Sequence, residues 1–163
     1  MKPFIDREEE LEFLENEYQR EGASLVILYG RRRVGKTALA VKFMQQKPSL
    51  YYLITEESEQ QNRRSFQQMA AEFCQNDLLA NAGITDWMLI FKALFQTQRE
   101  EKLLLVLDEF QYLGKANPAF PSIFQKLWDT YLKEQNVMVI LSGSLISMME
   151  SQTLSYSSPL YGR

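Results

Sequence analysis

The sequence contains no histidine and a single cysteine, Cys74. Without histidine, the chain cannot build an imidazole-ligated metal site or a catalytic triad with a histidine base. A lone cysteine forms no internal disulfide, which favours a reducing compartment and predicts a cytoplasmic protein. The longest apolar runs, such as "LLLVL", are far shorter than a membrane-spanning helix, and the acidic start "MKPFIDREEE" has no apolar signal-peptide core. We therefore expect no contact with a membrane.

Positive charge is also scarce, with 18 Lys and Arg against 21 Asp and Glu and a net charge of -3. This mildly acidic balance argues against a surface built mainly to coat nucleic acid. A length of 163 residues and an apolar fraction of 45% suit one globular domain, which we assign to residues 1–163.

Short β-like runs alternate with longer helical patterns along the chain. The predicted strands cover 24–29, 49–54, 102–110 and 137–144. Three predicted helices cover 7–20, 37–46 and 60–80. A fourth is capped by Thr85, and a fifth starts at Pro121. This alternation predicts an α/β fold with a parallel sheet and helices on both faces.

The segment "GRRRVGKT" fits the phosphate-loop pattern G-x-x-x-x-G-K-[ST] between a predicted strand and a predicted helix. Its backbone amides can converge on a polyphosphate, and the following helix points its positive N-terminus at the anion. Lys36 is expected to reach the β- and γ-phosphates, and Thr37 to offer its hydroxyl to Mg²⁺. The predicted nucleotide-binding residues are Gly30, Arg31, Arg32, Arg33, Val34, Gly35, Lys36, Thr37 and Ala38.

The three consecutive arginines of this loop have two readings. Arg31, Arg32 and Arg33 either remain solvated loop charges or contact a phosphate or a neighbouring acidic element. In both cases their summed charge raises the local attraction for a nucleotide.

A carboxylate pair follows the most apolar predicted strand. Asp108 is expected at the carboxyl edge of the sheet, where it would accept hydrogen bonds from Mg²⁺-bound waters. Glu109 would then polarise an attacking water as a general base. The pattern D-E-F-Q replaces the D-x-x-G of GTPases, and N-K-x-D is absent from the sequence, so ATP is favoured over GTP.

Two further residues are candidates for the site. Ser142 lies at the end of the fourth predicted strand, where it either orients water and senses the γ-phosphate or makes a local serine turn. Arg163 either supplies a charge-neutralising finger, in cis or to a neighbour, or is an ordinary surface arginine.

The segments "GRRRVGKT", "LLLVLDEFQYL", "LSGSLISMMES" and "SPLYGR" together resemble the archaeal-type ATPase family, a group of P-loop ATPases related to the AAA+ and STAND groups. The resemblance implies ATP and Mg²⁺ as cofactors. Carried over by position, it implies ATP–Mg²⁺ binding by Gly35, Lys36 and Thr37, metal contact by Asp108, catalysis by Glu109, a sensor role for Ser142, a nucleotide-responsive role for Arg163, and a place for Arg7 near the adenine.

The resemblance also implies a three-layer P-loop NTPase fold with strand order 5-1-4-3-2. Only four strands are predicted here, so we expect a C-terminally truncated ATPase domain that lacks the fifth strand and the lid. Strand 24–29 would then be an exposed edge, which predicts self-association and is compatible with a homo-oligomer. DNA contact is expected only through C-terminal regions that lie outside this chain.

The leading functional hypothesis is a domain that hydrolyses ATP and couples this to a DNA-related or regulatory partner domain. The alternative is a nucleotide-gated switch that binds ATP with little turnover. A kinase that transfers phosphate to a small molecule fits less well, because Glu109 suits water activation and no acceptor-pocket signature is present.

Overall fold

The computed structural model describes residues 8–29, 35–96 and 100–143. Its strands are β1 (Ser24–Tyr29), β2 (Ser49–Leu53), β3 (Leu103–Asp108) and β4 (Val137–Gly143). Its helices are α1 (Glu8–Gln19), α2 (Lys36–Met44), α3 (Glu59–Cys74), α4 (Asp77–Asn81), α5 (Trp87–Leu94), α6 (Gln111–Ala116) and α7 (Phe120–Thr130), with a short 3-10 turn at Leu132–Glu134.

All four strands pair in parallel, in the order β1-β4-β3-β2. This agrees with the order 1-4-3-2 that the resemblance implied for the first four strands. The register places Leu53 beside Asp108 and Leu28 beside Ser142, so the carboxyl ends of the strands meet at one edge. Within the described residues, β1 and β2 form the edges of the sheet. The expectation that a fifth strand is missing stays a prediction, because it concerns residues outside the described ranges.

Helices cover both faces of the sheet and bury two separate cores. On one face, side chains of α3, α5 and α7 pack against alternate residues of the strands, including Leu105 and Leu107. On the other face, α1 and α2 pack against Leu104 and Val106. Every residue of β3 and β4 is buried, which explains why these strands read as continuous apolar runs in the sequence. The predicted α/β architecture with helices on both faces is confirmed.

The prediction of one helix over 60–80 is wrong beyond Cys74. Gln75 adopts a left-handed conformation with φ 53 and ends α3, and the Asn76 side chain accepts a hydrogen bond from the Leu79 backbone to start α4. A left-handed residue cannot continue a right-handed helix, so the chain turns there. The apolar periodicity gave no sign of this break.

Other predicted boundaries also shift, and one helix was not predicted. Asp86, not Thr85, caps α5, because its carboxylate accepts a hydrogen bond from the Met88 backbone. The predicted strand 102–110 ends at Asp108, and the short helix α6 follows where none was predicted.

Within the described ranges, no helix combines the length and apolar character needed to cross a bilayer.

Candidate functional site

The end of β3 and the first turn of α2 meet through one hydrogen bond. The Thr37 hydroxyl donates to Oδ2 of Asp108 at 2.8 Å. β3 carries Asp108 to the carboxyl edge of the sheet, where this residue is only 3% exposed. The structure therefore brings together the two residues that the sequence analysis assigned to the metal.

A left-handed turn precedes α2. Gly35 has φ 84, a conformation in which a side chain is strained, and its carbonyl accepts a hydrogen bond from the Leu39 backbone at 2.8 Å. Lys36 opens the helix directly after it and is 9% exposed. The N-terminus of α2, whose first N–H groups carry partial positive charge, opens onto a cleft at this edge of the sheet.

The cleft has a volume of about 580 Å³, within the range of small-molecule sites. Its lining combines the start of α2, the loop after β2 and the loop after β3. The lining residues are Gly35, Lys36, Thr37, Ala38, Leu53, Ile54, Thr55, Glu56, Asp108, Glu109 and Tyr112. Sequence reasoning missed the contributions of the loop after β2 and of Tyr112.

Tyr51 on β2 is a second donor to Asp108. Its hydroxyl donates to the same Oδ2 atom at 2.5 Å. Burial raises the pKa of the Tyr51 phenol well above its ordinary value, and the hydrogen bond to Asp108 raises it further, so the phenol remains a donor. Tyr51 was predicted to lie in a strand but had no predicted role at the site, because its partner is 57 positions away.

Glu109 sits in a constrained conformation at the end of β3. Its φ of 57 is left-handed, which is unusual for a residue with a side chain. Its backbone N–H donates to Oδ1 of Asp108 at 2.9 Å, and the amide of Gln111 donates to Oε1 of Glu109 at 2.6 Å. Gln111 is 1% exposed, so the Glu109 carboxylate is held by a buried partner that sequence reasoning missed.

Ser142 lies on β4 between β1 and β3 and is fully buried. Its carbonyl accepts a hydrogen bond from the Phe110 backbone at 2.8 Å, which ties the loop after β3 to β4. Its hydroxyl oxygen has no hydrogen-bond partner among the residues that the structure describes. The local turn bond considered in the sequence analysis is therefore not seen in those residues, and the sensor role stays a prediction.

The remaining predicted site residues lie outside the described ranges. They are Arg7, Gly30, Arg31, Arg32, Arg33, Val34 and Arg163. Their roles stay predictions.

Asn62 of α3 fixes the loop that forms one wall of the cleft. Its side-chain oxygen accepts from the Tyr52 hydroxyl at 2.7 Å and from the Thr55 backbone at 3.1 Å. Its amide donates to the carbonyls of Thr55 and Ser58 at 3.1 and 3.2 Å. Because Asn62 is fully buried, these bonds form a preorganised support for the wall.

Replacing Asn62 with alanine should lower the free energy of unfolding by about 1–3 kcal/mol, because the buried Tyr52 hydroxyl loses its acceptor. Urea unfolding followed by circular dichroism measures the effect. The matched control is Asn81→Ala, which removes an exposed amide bonded to the Asp77 carbonyl and should change stability by less than about 0.5 kcal/mol. Equal losses in the two variants would contradict the support assigned to Asn62.

The chemistry of the donor set fits a hard divalent cation. Thr37 donates its hydrogen to Asp108, which leaves the lone pairs of its oxygen available. Within residues 8–29, 35–96 and 100–143, no group of three or more Cys, Asp and Glu side chains could hold a metal alone. Mg²⁺ usually takes one or two protein ligands and completes its shell with water and substrate phosphates, so a hydroxyl beside a carboxylate is compatible with it.

Comparison with known proteins places these features in context. A family model described as an ATPase domain predominantly from Archaea matches residues 4–163. An uncharacterized protein of Methanocaldococcus jannaschii is 38% identical over 160 residues, which make up 98% of this chain and 34% of that protein. The chain thus spans about a third of the length of this relative.

Two solved structures share the fold. Cdc6p of Pyrobaculum aerophilum has a TM-score of 0.67 and 18% identity, over 100% of this chain and 45% of that chain. The Walker-type ATPase of Pyrococcus abyssi has a TM-score of 0.59 and 24% identity, over 97% of this chain and 51% of that chain. At these identities the likeness shows the architecture, which is an α/β fold of the P-loop NTPase type.

The family match covers nearly the whole chain, and the parallel sheet has the strand order expected for such ATPases. Thr37 of the predicted phosphate loop and the strand-end Asp108 are in direct contact. The chain therefore belongs to the family of ATPase domains found predominantly in Archaea.

Proposed function

We propose that this domain binds ATP with Mg²⁺ in the cleft and hydrolyses the bond between its β- and γ-phosphates. The observation that carries the proposal is the 2.8 Å hydrogen bond from Thr37 to Asp108, at the N-terminus of helix α2, which begins with Lys36. Thr37, Asp108 and Lys36 all line the same cleft, which supports a shared role for them. Mg²⁺-nucleotide sites in P-loop proteins use these groups.

The phosphates would be held by the loop before α2 and by the helix itself. We assign the backbone amides of 30–35 and of Thr37 and Ala38 to the phosphate oxygens. Lys36 would neutralise charge on the β- and γ-phosphates. Arg31, Arg32 and Arg33 would add to the attraction for the anion without any one of them being required.

Thr37 and Asp108 would hold Mg²⁺, with Thr37 as a direct ligand and Asp108 acting through bound water. The bound cation would neutralise charge that develops on the phosphate oxygens. The hydrogen bond between the two residues orients both side chains before a nucleotide arrives.

Glu109 would accept a proton from the water that attacks the γ-phosphate. Its backbone N–H contacts Asp108, and Gln111 anchors one oxygen of its carboxylate. Among the described residues no hydrogen bond to the other oxygen is seen, and this oxygen would face the water. Ser142 would orient this water or respond to the γ-phosphate, since its buried hydroxyl oxygen has no partner in the described residues. Arg163 would supply positive charge in cis or to a neighbour.

A nucleotide-gated switch with little turnover is the second candidate. The hydrogen bond from the buried Gln111 to Glu109, at 2.6 Å, favours it, because it already engages one oxygen of the carboxylate that would activate water. The binding residues are the same in both proposals, and only the rate of hydrolysis separates them. The relative from Methanocaldococcus jannaschii is about three times as long as this chain. We therefore propose that hydrolysis or nucleotide binding is coupled to a DNA-related or regulatory partner domain.

Calorimetric titration with ATP and GTP, with and without Mg²⁺, tests the proposal. We expect ATP to bind at least about tenfold more tightly when Mg²⁺ is present, a difference of about 1.4 kcal/mol. GTP should bind more weakly than ATP, because the sequence lacks the N-K-x-D guanine reader. Absence of ATP binding, or binding that Mg²⁺ does not change, would contradict the assignment.

A further inference from the structure

We propose that Tyr51 is a positioning residue for the divalent cation. Its hydroxyl orients the Asp108 carboxylate, and this orientation strengthens the binding of the cation. The inference rests on the proposed function, because it concerns the cation that accompanies the nucleotide. It adds a residue from the edge strand β2 that lies outside both the phosphate loop and the carboxylate pair.

Three donors converge on the Asp108 carboxylate. The Glu109 backbone N–H occupies Oδ1 at 2.9 Å, while the hydroxyls of Thr37 and Tyr51 occupy Oδ2 at 2.8 and 2.5 Å. Because these contacts come from β2, from α2 and from the residue after β3, and engage both oxygens, they fix the rotation of the carboxylate. The orientation of this carboxylate sets the direction of the lone pairs that the waters bound to the cation would meet.

Thr37 and Tyr51 differ in what else they do. Thr37 opens the phosphate-binding helix and would itself be a ligand of the cation. Tyr51 does not line the cleft and reaches Oδ2 from β2, two positions before the residue that pairs with Asp108 in the sheet. Its ring packs against the core between the sheet and helices α1 and α2. A rigid, packed ring that presents one hydroxyl is suited to orient a neighbour.

A purely structural role for Tyr51 makes a different prediction. If only the ring matters, then phenylalanine, which keeps the ring, should behave as the natural residue does. If the hydroxyl orients Asp108, then its loss should weaken the binding of the cation and leave the contacts that hold the phosphates unchanged. Loss of such outer hydrogen bonds typically weakens metal binding about 10–100-fold.

The test measures the affinity of a fluorescent ATP analogue, first in EDTA and then during titration with Mg²⁺. For Tyr51→Phe we expect the Mg²⁺ midpoint to rise by about tenfold or more, with nucleotide affinity in EDTA within about twofold of the natural protein. The matched control is Tyr18→Phe, which removes a hydroxyl that donates at 2.5 Å to the Lys102 carbonyl, just before β3 and at the opposite end of the sheet. This control should leave both values unchanged.

The outcomes separate the two proposals. If the natural protein binds the analogue and responds to Mg²⁺ while Tyr51→Phe keeps the same midpoint, the role of Tyr51 is overturned and the proposed function stands. If the natural protein shows no nucleotide binding, both proposals fail. An equal shift in Tyr51→Phe and Tyr18→Phe would show a general loss of rigidity and would also overturn the inference.

Discussion

Replacing Glu109 with glutamine is expected to lower the rate of ATP hydrolysis by about 10²–10⁴-fold while ATP affinity stays within about threefold. Glutamine has nearly the same shape and keeps an oxygen that can accept the hydrogen bond from Gln111. It cannot accept a proton from water at neutral pH, so it removes the base and little else. Steady-state phosphate release and nucleotide titration measure the two quantities.

The control for this variant is Glu134→Gln, which makes the same chemical change at the end of the turn that precedes β4. That position lies at the amino edge of the sheet and does not line the cleft. Turnover of the control should equal that of the natural protein. Equal losses of turnover and affinity in Glu109→Gln would contradict the role of a base, and unchanged turnover would favour the nucleotide-gated switch.

Replacing Lys36 with methionine should weaken ATP binding by about 10–100-fold. A hydrogen bond to a charged group contributes about 1.5–3 kcal/mol, and each 1.4 kcal/mol is a factor of ten. Methionine keeps much of the apolar stem of lysine, which matters because Lys36 is largely buried at the start of α2. Calorimetry with ATP and Mg²⁺ measures the loss.

Lys42→Met is the matched control, since Lys42 is an exposed lysine in the last turn of the same helix. It should bind ATP as the natural protein does. A similar loss in both variants would show that the net charge of the helix, rather than the placement of one ammonium group, attracts the nucleotide.

The sequence was sufficient to predict the architecture and the meeting of Thr37 with Asp108. Buried parallel strands require unbroken apolar runs, and β3 and β4 have them. The carboxyl ends of such strands share one edge, so a phosphate loop and a strand-end carboxylate must approach each other. Local patterns determine both features.

Other features depend on contacts that no local pattern reveals. Gln75 ends α3 with a left-handed residue inside a stretch whose apolar spacing continues as a helix. Tyr51 and Asn62 matter because of partners brought close by the fold, and their neighbours in sequence give no sign of this. The Gln111 contact was equally hidden, because it requires Glu109 to leave the strand conformation.

The left-handed backbone of Glu109 lowers the stability of the domain at the position of the proposed base. A side chain in the left-handed region costs about 1–2 kcal/mol, a cost that glycine would largely avoid. Glycine, however, has no carboxylate, and the proposed role of Glu109 requires one. The domain is thus less stable than its scaffold allows. Under the proposed function, Glu109→Gly is expected to gain stability and to lose hydrolysis.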